Sequence, residues 1–302
     1  MRASIPSRPF RPPSHRNLLA WRGLFLGFAA MLSAAIPANS EETAPVRVAS
    51  INLCADELLL ALADPGQIAA LSTYATDPTL SFMAKEAEAY RHDAGNAETI
   101  VEIAPDVVLA GRFTRLATRE MLSRLGFRLV LLDSVRSIDA SIEQIREVAA
   151  LLEKPERGEA LIAEIEGARS RAEAAAAPPA RRPTALVYQR RGYVTGAETL
   201  TGELLRIAGF DNRGGAVAGA SGGFVDLEQI VAERPDFLVV ASAAPDAEDQ
   251  GTALLSHPAL AGLYPPERRI VLPEKLTVCG GPSLPAALDR LSEEARRVAG
   301  AS

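Results

Sequence analysis

The sequence predicts an α/β fold of two similar lobes joined by one long α-helix. Three observations lead to this prediction: short apolar runs alternate with helical patterns, the same order recurs in the second half, and a proline-bordered helical stretch lies between the halves. Continuous apolar runs are typical of parallel strands that helices cover on both faces. We therefore expect two Rossmann-like lobes, each with a central parallel sheet.

The first 40 residues are predicted to be a signal peptide. Arg and Pro are frequent in residues 2–16, an apolar run extends over residues 24–36, and small residues follow up to Ser40. The apolar run is shorter than the roughly 20 residues that a membrane-spanning helix needs. We therefore expect export, cleavage near Ala38 or Ser40, and a periplasmic mature protein.

The N-terminal lobe is predicted to span residues 45–153. Strands are expected at residues 46–49, 68–71, 107–110 and 129–132, and helices at 54–63, 80–89, 97–103 and 114–125. Gly126 follows the last of these helices, in a position that glycine favours. A further helix is expected from Ser137 to about Glu153.

A connecting helix is predicted over residues 154–178, because Pro155 suits the first turn of a new helix and prolines follow its end. The C-terminal lobe is expected at residues 183–299. Its predicted strands are 185–188, 237–241 and 269–272, and its predicted helices are 200–208, 226–233 and 284–298.

An internal repeat supports the similarity of the lobes. The pattern E-x-I-V-x-x-x-P-D occurs at residues 98–106 and again at 228–236, each time directly before a predicted strand. The spacing predicts one short helix, a Pro-Asp turn and a core strand in each lobe.

The composition excludes several classes of function. The net charge is −6, and the first 40 residues contain five Arg and no acid, so the remainder is more acidic still. Such a surface is unsuited to nucleic acid, which is bound through clustered Lys and Arg. Three His and two Cys exclude a zinc framework and a multi-disulfide scaffold. We expect no metal site, no resident cofactor and a monomer.

Polar and aromatic residues follow the predicted strands, where open α/β sheets bind ligands. We expect them to line a ligand cleft between the lobes, and Arg there suits an anionic ligand. The candidates are Asn52, Cys54, Tyr74, Arg112, Phe113, Gln189, Tyr193, Thr195 and Cys279.

Cys54 and Cys279 follow the first strand of one lobe and the last strand of the other. Three interpretations remain open from the residues alone: two buried thiols, a disulfide across the cleft, or ligand contact.

Ser221 lies in a G-x-S-x-G pattern at residues 219–223, which suggests an exported esterase or acyltransferase as an alternative. A nucleophile elbow needs a strand directly before the serine, and the sequence there is typical of a loop. We therefore do not expect an enzyme.

These features together resemble the Fe/B12 periplasmic-binding proteins, the helix-hinged substrate-binding components of ABC importers for ferric siderophores, haem and vitamin B12. The resemblance covers about residues 46–298 and is most specific in the paired P-D elements and in residues 193–200. It implies capture of an iron chelate or a corrinoid, and an ABC permease dimer with a cytoplasmic ATPase as partners. A scavenger or sensor of the same fold, without a transporter, is the other alternative.

The resemblance also changes the interpretation of Glu98 and Glu228. As acids in the first turn of predicted helices, both are explained by the helix dipole. In the family, one Glu per lobe contacts Arg residues of the permease, and these two glutamates occupy the matching positions. One feature departs from the B12-binding members, which line the cleft with several Trp: here the single Trp21 lies in the predicted signal peptide. This departure favours an iron chelate.

Overall fold

The computed structural model describes residues 44–176, 178, 182–241 and 257–300. The predicted signal peptide, residues 1–40, lies outside the described residues. Within the described ranges, every helix is too short or too polar to cross a membrane.

The N-terminal lobe contains a four-stranded parallel sheet in the order β2-β1-β3-β4. Helices connect or follow these strands, as βαβ order requires. The elements are β1 (Val48–Ser50), α1 (Leu53–Leu62), β2 (Ile68–Ala70), α2 (Ala84–Ala87), α3 (Ala97–Ile103), β3 (Val107–Gly111), α4 (Leu116–Arg124), β4 (Arg128–Leu132) and α5 (Ile138–Leu151).

Helix α6 (Pro155–Ala175) follows α5 and leads to the C-terminal lobe. That lobe has a parallel sheet in the order β10-β9-β5-β7 and a short antiparallel pair, β6 with β8. Its elements are β5 (Thr184–Val187), β6 (Tyr193–Val194), α7 (Leu200–Ile207), β7 (Asp211–Asn212), α8 (Gly214–Ala218), β8 (Gly223–Phe224), α9 (Leu227–Glu233), β9 (Phe237–Val240), α10 (Pro258–Leu263), β10 (Arg269–Val271) and α11 (Leu284–Gly300).

Helix α6 packs against helices of both lobes, namely α5, α7 and α11. Gly158 allows the close approach of α5, because a Cβ atom at this position would lie 2.7 Å from the Cβ of Ala149. One buried apolar cluster runs through the junction of the lobes, and burial of each large aliphatic side chain contributes about 1.5–3 kcal/mol. Representative members from successive helices are Leu59, Ile145, Ile165, Leu205 and Leu288.

The internal repeat is confirmed in the backbone. The residues that end α3 and α9, Ala104 and Arg234, are separated by the repeat spacing and adopt left-handed conformations with φ of 47° and 49°. Two residues later in each lobe, Asp106 and Asp236 accept backbone N–H groups at 2.7 and 2.8 Å, from Arg47 and Thr184. Each Pro-Asp turn is thereby tied to the start of the central strand.

Two element predictions were wrong in part. The helix expected at residues 80–89 is only Ala84–Ala87, because Asp77 holds the preceding residues in turns by accepting the N–H and hydroxyl of Thr79 at 2.8 and 2.7 Å. Strand β4 was expected to be buried on both faces, but it is an edge strand and Leu131 is exposed.

Candidate functional site

A disulfide joins the two lobes. Cys54 is the second residue of α1, and Cys279 lies in the loop between β10 and α11; their Cα atoms are 5.2 Å apart. Of the three interpretations that the residues left open, the structure contains the disulfide. It ties the loop that precedes α11 to the first helix of the other lobe.

A cavity of about 590 Å³ lies beside this disulfide. It opens at the carboxyl ends of the N-terminal strands, where a parallel α/β sheet binds its ligand. Val278 of the C-terminal lobe contributes to its wall. The structure brings together here the five site residues that were predicted in the N-terminal lobe: Asn52, Cys54, Tyr74, Arg112 and Phe113.

Asn52 forms part of the cavity wall and also begins α1. Its Oδ1 accepts the N–H groups of Cys54 and Ala55 at 3.1 and 3.2 Å, as a helix N-cap does. Gly111 lies directly against it, since a Cβ atom on Gly111 would approach the Asn52 side-chain nitrogen to 2.6 Å. The ends of β1 and β3 are therefore packed closely at this edge.

Arg112 is paired with Asp133, a cavity residue that the sequence reasoning missed. The guanidinium Nε and Nη2 donate to the two carboxylate oxygens, the second at 2.8 Å. The hydrogen bond from Arg112 lowers the pKa of Asp133 below its ordinary value. Asp133 directly follows β4, so the rule that selected Arg112 after β3 also applied to it. The carboxylate of Asp133 therefore partly compensates the positive charge of Arg112.

Two aromatic side chains are unusually exposed in the cavity. Tyr74 is 57% exposed and Phe113 is 85% exposed. Exposed aromatic side chains in the wall of a concave site are candidates for contact with a ligand. Together with the Arg112–Asp133 pair, they give the cavity flat apolar surfaces and a charged hydrogen-bonding group.

The C-terminal lobe has a smaller cavity of about 190 Å³ at the carboxyl ends of β5, β9 and β10. Gln189 lines this cavity, as do Glu274 and Thr277. Among the ligand-site residues predicted in the C-terminal lobe, Gln189 therefore lines a cavity at the strand ends.

Tyr193 and Thr195 were expected to point into the cleft, but neither lines either cavity. Thr195 is only 5% exposed, because its carbonyl is covered by Gly214, where a Cβ atom would lie 2.0 Å away. Tyr193 packs edge-on against Phe224 with 5.4 Å between ring centres, and its hydroxyl donates to the Ser221 carbonyl at 3.2 Å. Phe224, which the sequence reasoning missed, is 73% exposed.

The segment before and within the start of α5 bonds to the C-terminal lobe at three points. Arg136 donates to the Glu198 carbonyl at 2.8 and 3.1 Å and to Ser221 Oγ at 2.7 Å. The Ile138 N–H donates to Glu203 at 2.7 Å. Ser141 Oγ accepts the Gly281 N–H at 2.8 Å, close to the disulfide. These bonds fix the orientation of one lobe against the other.

Ser221 does not form a nucleophile elbow. Helix α8 and a turn precede it, where an elbow requires a strand. Its hydroxyl accepts a hydrogen bond from Arg136, and His257, the imidazole considered as its partner, begins α10 by accepting the Ala259 N–H through Nδ1 at 3.2 Å. The loop therefore contributes to the lobe junction.

Two acids of α1, Asp56 and Glu57, are fully buried and were not singled out in the sequence. Burial raises the pKa of Asp56 to about 7, although hydrogen bonds from Ser50 and Ser72 oppose the shift. Burial likewise raises the pKa of Glu57 to about 7, and the neighbouring Asp56 adds to the effect.

Glu98 and Glu228 are exposed in the first turns of α3 and α9. The helices begin with equivalent caps, since Asn96 Oδ1 accepts the Thr99 N–H at 2.9 Å and Asp226 forms a capping box with Gln229.

Within the described ranges, no group of three or more His, Cys, Asp or Glu is arranged to hold a metal ion.

The sequence profile of the periplasmic binding protein family matches residues 48–265, which is most of the chain. The chain belongs to this family. Proteins of the family are substrate-binding proteins of the periplasm or the cell exterior, and the helix-joined α/β fold described above is theirs.

Curated and solved relatives agree with this assignment. A cobalamin-binding protein of Halobacterium salinarum is 26% identical over 226 residues, 74% of this chain and 60% of that protein, so the match spans less than two thirds of the relative. The haem-binding protein RhuT of Roseiflexus sp. RS-1 is 22% identical, with a TM-score of 0.66 over 85% of this chain and 99% of that one.

Two further structures share the fold. A periplasmic haem-binding protein of Pseudomonas aeruginosa is 21% identical, with a TM-score of 0.67 over 82% of this chain and 92% of that one. The vitamin B12-binding protein BtuF of Vibrio cholerae is 16% identical, with a TM-score of 0.62 over 84% of this chain and 98% of that one.

Proposed function

We propose that the protein is the substrate-binding component of an ABC importer that captures a metal chelate in the periplasm. The observation that carries this proposal is the 590 Å³ cavity at the strand ends of the N-terminal lobe, which Val278 of the other lobe also lines, with exposed aromatic rings and the Arg112–Asp133 pair in its wall. Family membership supports it, and so does the predicted signal peptide. The protein acts as a monomer and performs no chemistry on its ligand.

The ligand is an iron chelate, a siderophore or haem, or else a corrinoid. The relatives described above are named for haem, cobalamin and vitamin B12, and the cavity chemistry suits that class. Tyr74 and Phe113 offer flat apolar surfaces to a macrocycle or an aromatic chelator. Arg112 is placed to exchange part of its bonding from Asp133 to an anionic group on the ligand. The absence of Trp outside the predicted signal peptide favours the iron chelate.

Glu98 and Glu228 are proposed to dock on the permease. They lie in the first turns of equivalent helices at the repeat spacing in two similar lobes, the arrangement expected for a pair related by a pseudo-two-fold axis. A permease dimer presents two equivalent surfaces, and basic pockets there would match this pair of exposed carboxylates. Charges at the edge of an interface set encounter rate and register more than ligand affinity.

Uptake of haemin, a ferric siderophore and cyanocobalamin by cells with and without the protein tests the proposal. We expect loss of the protein to abolish uptake of one of them. The double variant Glu98→Ala/Glu228→Ala should keep ligand affinity within about twofold, because both residues lie outside the cavity, but should fail to restore uptake.

The matched control is Glu156→Ala, which removes another exposed acid from the first turn of a helix, α6. It should restore full uptake. Full uptake with the double variant would show that Glu98 and Glu228 serve only the helix ends, and unchanged uptake without the protein would refute the importer role. Genes for a permease and an ATPase beside this one would separate an importer from a scavenger or sensor.

A further inference from the structure

The loop from Ser72 to Phe82 joins β2 to α2 and forms one wall of the large cavity. Ser72, Thr73, Tyr74 and Leu80 all line that cavity, and Tyr74 extends from the loop with more than half of its surface exposed. Beneath the loop lies α1, with Asp56 and Glu57 fully buried. Burying two adjacent carboxyl groups is costly. An acidic residue at an exposed position of the first turn would interact as favourably with the helix dipole without this cost, so the dipole alone does not account for the burial of these two acids.

Asp56 holds the beginning of the loop. Its Oδ1 accepts the Ser72 N–H at 2.9 Å, and its Oδ2 accepts the Ser72 hydroxyl at 2.5 Å. The same Ser72 Oγ accepts the Tyr74 N–H at 3.3 Å. A chain of hydrogen bonds therefore connects the buried carboxyl to the backbone of the exposed aromatic residue.

Glu57 holds the end of the loop. Its Oε1 accepts the Phe82 N–H at 2.8 Å. Its other oxygen is buried and has no hydrogen-bond partner among the described residues. The one bond that Glu57 makes to the backbone of the loop is thus the contact that offsets the cost of its burial.

Between these two anchors the loop is organised by its own bonds. Asp77 accepts the Thr79 N–H and hydroxyl, and its carbonyl accepts the Ser81 N–H at 2.8 Å. Asp56 and Glu57 attach the loop to α1 at Ser72 and Phe82. Core burial of Ala75 and the bridge between Ser72 and Ala94 hold the loop as well.

We propose that Asp56 and Glu57 are positioning residues for the ligand site, which fix both ends of the Ser72–Phe82 loop and so hold Tyr74 against the bound ligand. The proposal rests on the proposed function of the cavity and names the residues that shape it. Neither acid touches the ligand; each acts through the backbone of the loop.

Amide hydrogen exchange of the ligand-free protein, followed by titration with haemin and cyanocobalamin, tests the proposal. Glu57→Leu removes the acceptor at similar volume, and we expect the Phe82 amide to exchange at least about tenfold faster. Glu57→Gln keeps an acceptor oxygen and should restore protection to within about threefold. Affinity for the probe that binds should follow the same order, with Glu57→Leu weaker by about tenfold.

Ser72→Ala is a second test, made in the loop instead of in α1, which remains informative if Glu57→Leu does not fold. It removes the hydroxyl that links Asp56 to Tyr74, so the Tyr74 amide should exchange faster while α1 remains unchanged. The control pair is Glu294→Leu and Glu294→Gln on α11. Glu294 is also a buried acid, and its partners are Arg290 and Arg297 at 2.6 Å. These variants lower global stability without changing exchange in the loop.

Unchanged exchange at Tyr74 in Ser72→Ala, or at Phe82 in a folded Glu57→Leu, would overturn the proposal. Equal loss of loop protection in the Glu294 control would also overturn it, because the effect would then be global. If the wild-type protein binds neither probe, the choice of ligand is in question, whereas the exchange measurements still decide the role of the two acids.

Discussion

At the scale of single residues, the two buried acids of α1 should make the free energy of unfolding depend on pH in a range where carboxyl groups with ordinary pKa values have no effect. The folded pKa values of Asp56 and Glu57 are about 7, above the ordinary values of 3.8 and 4.5. The folded state therefore binds these protons more tightly than the unfolded state does. Stability from this source is fully present below the unfolded pKa and is lost as pH rises through the folded pKa.

We therefore expect the free energy of unfolding to fall as pH rises from about 5.5 to about 8, by at most about 2 kcal/mol per carboxyl. The carboxyls with lowered pKa values, such as Asp64 and Asp133, lose their contribution only at lower pH and do not act in this window. Urea unfolding at both pH values checks the expectation. Asp56→Asn and Glu57→Gln should each flatten the dependence, and a wild-type profile that rises with pH would contradict it.

The sequence predicted the cavity residues at strand ends better in the N-terminal lobe than in the C-terminal lobe. In the N-terminal lobe, the expectation that ligands bind at the carboxyl ends of parallel strands selected four residues that lie together at one cavity: Asn52, Tyr74, Arg112 and Phe113. The same expectation failed for Thr195 because the two-residue strands around it are too short to leave a periodic pattern in the sequence. Asp56 and Glu57 were missed because their role depends on a loop that begins 15 residues after Glu57.

At the scale of elements, the main strands and longer helices follow from apolar runs and caps. The expected start of α6 at Pro155 and the left-handed Gly126 after α4 are confirmed, with φ of 84° for the glycine. Helix α2 was overestimated because side-chain bonds of Asp77 compete with the helix in residues 77–81, and composition does not reveal that competition.

The disulfide between α1 and the loop before α11 is a prediction at the same scale. It closes a sequence separation of 225 residues, so the chain-entropy model assigns it about 5 kcal/mol of stability. Denatured, unreduced protein should contain no free thiol, and reduction should lower the melting temperature. Cys54→Ser/Cys279→Ser should melt at the temperature of the reduced protein, with or without reductant. Two free thiols in the unreduced protein would contradict the pairing.

At the scale of the whole molecule, the lobes are joined by one long helix, one disulfide and the bonds of residues 136–141 to the other lobe. The apolar core continues through the junction. The large cavity lies beside the disulfide, and a covalent link between the lobes at this point reduces the conformational freedom that binding would otherwise have to restrict. The exposed Glu98 and Glu228 lie outside the cavity wall, so the proposed capture and the proposed docking use different surfaces.

Titration of the purified mature protein with haemin, a ferric siderophore and cyanocobalamin tests the central claim, capture of a metal chelate in this cavity, most directly. One of the three should bind with a Kd at or below about 1 μM. Arg112→Ala should weaken that binding by about tenfold or more, as expected for a lost charge-assisted hydrogen bond. The control Arg124→Ala, an exposed Arg on α4 paired with Glu120, should bind like the wild type. Failure of the folded wild-type protein to bind any of the three would contradict the account.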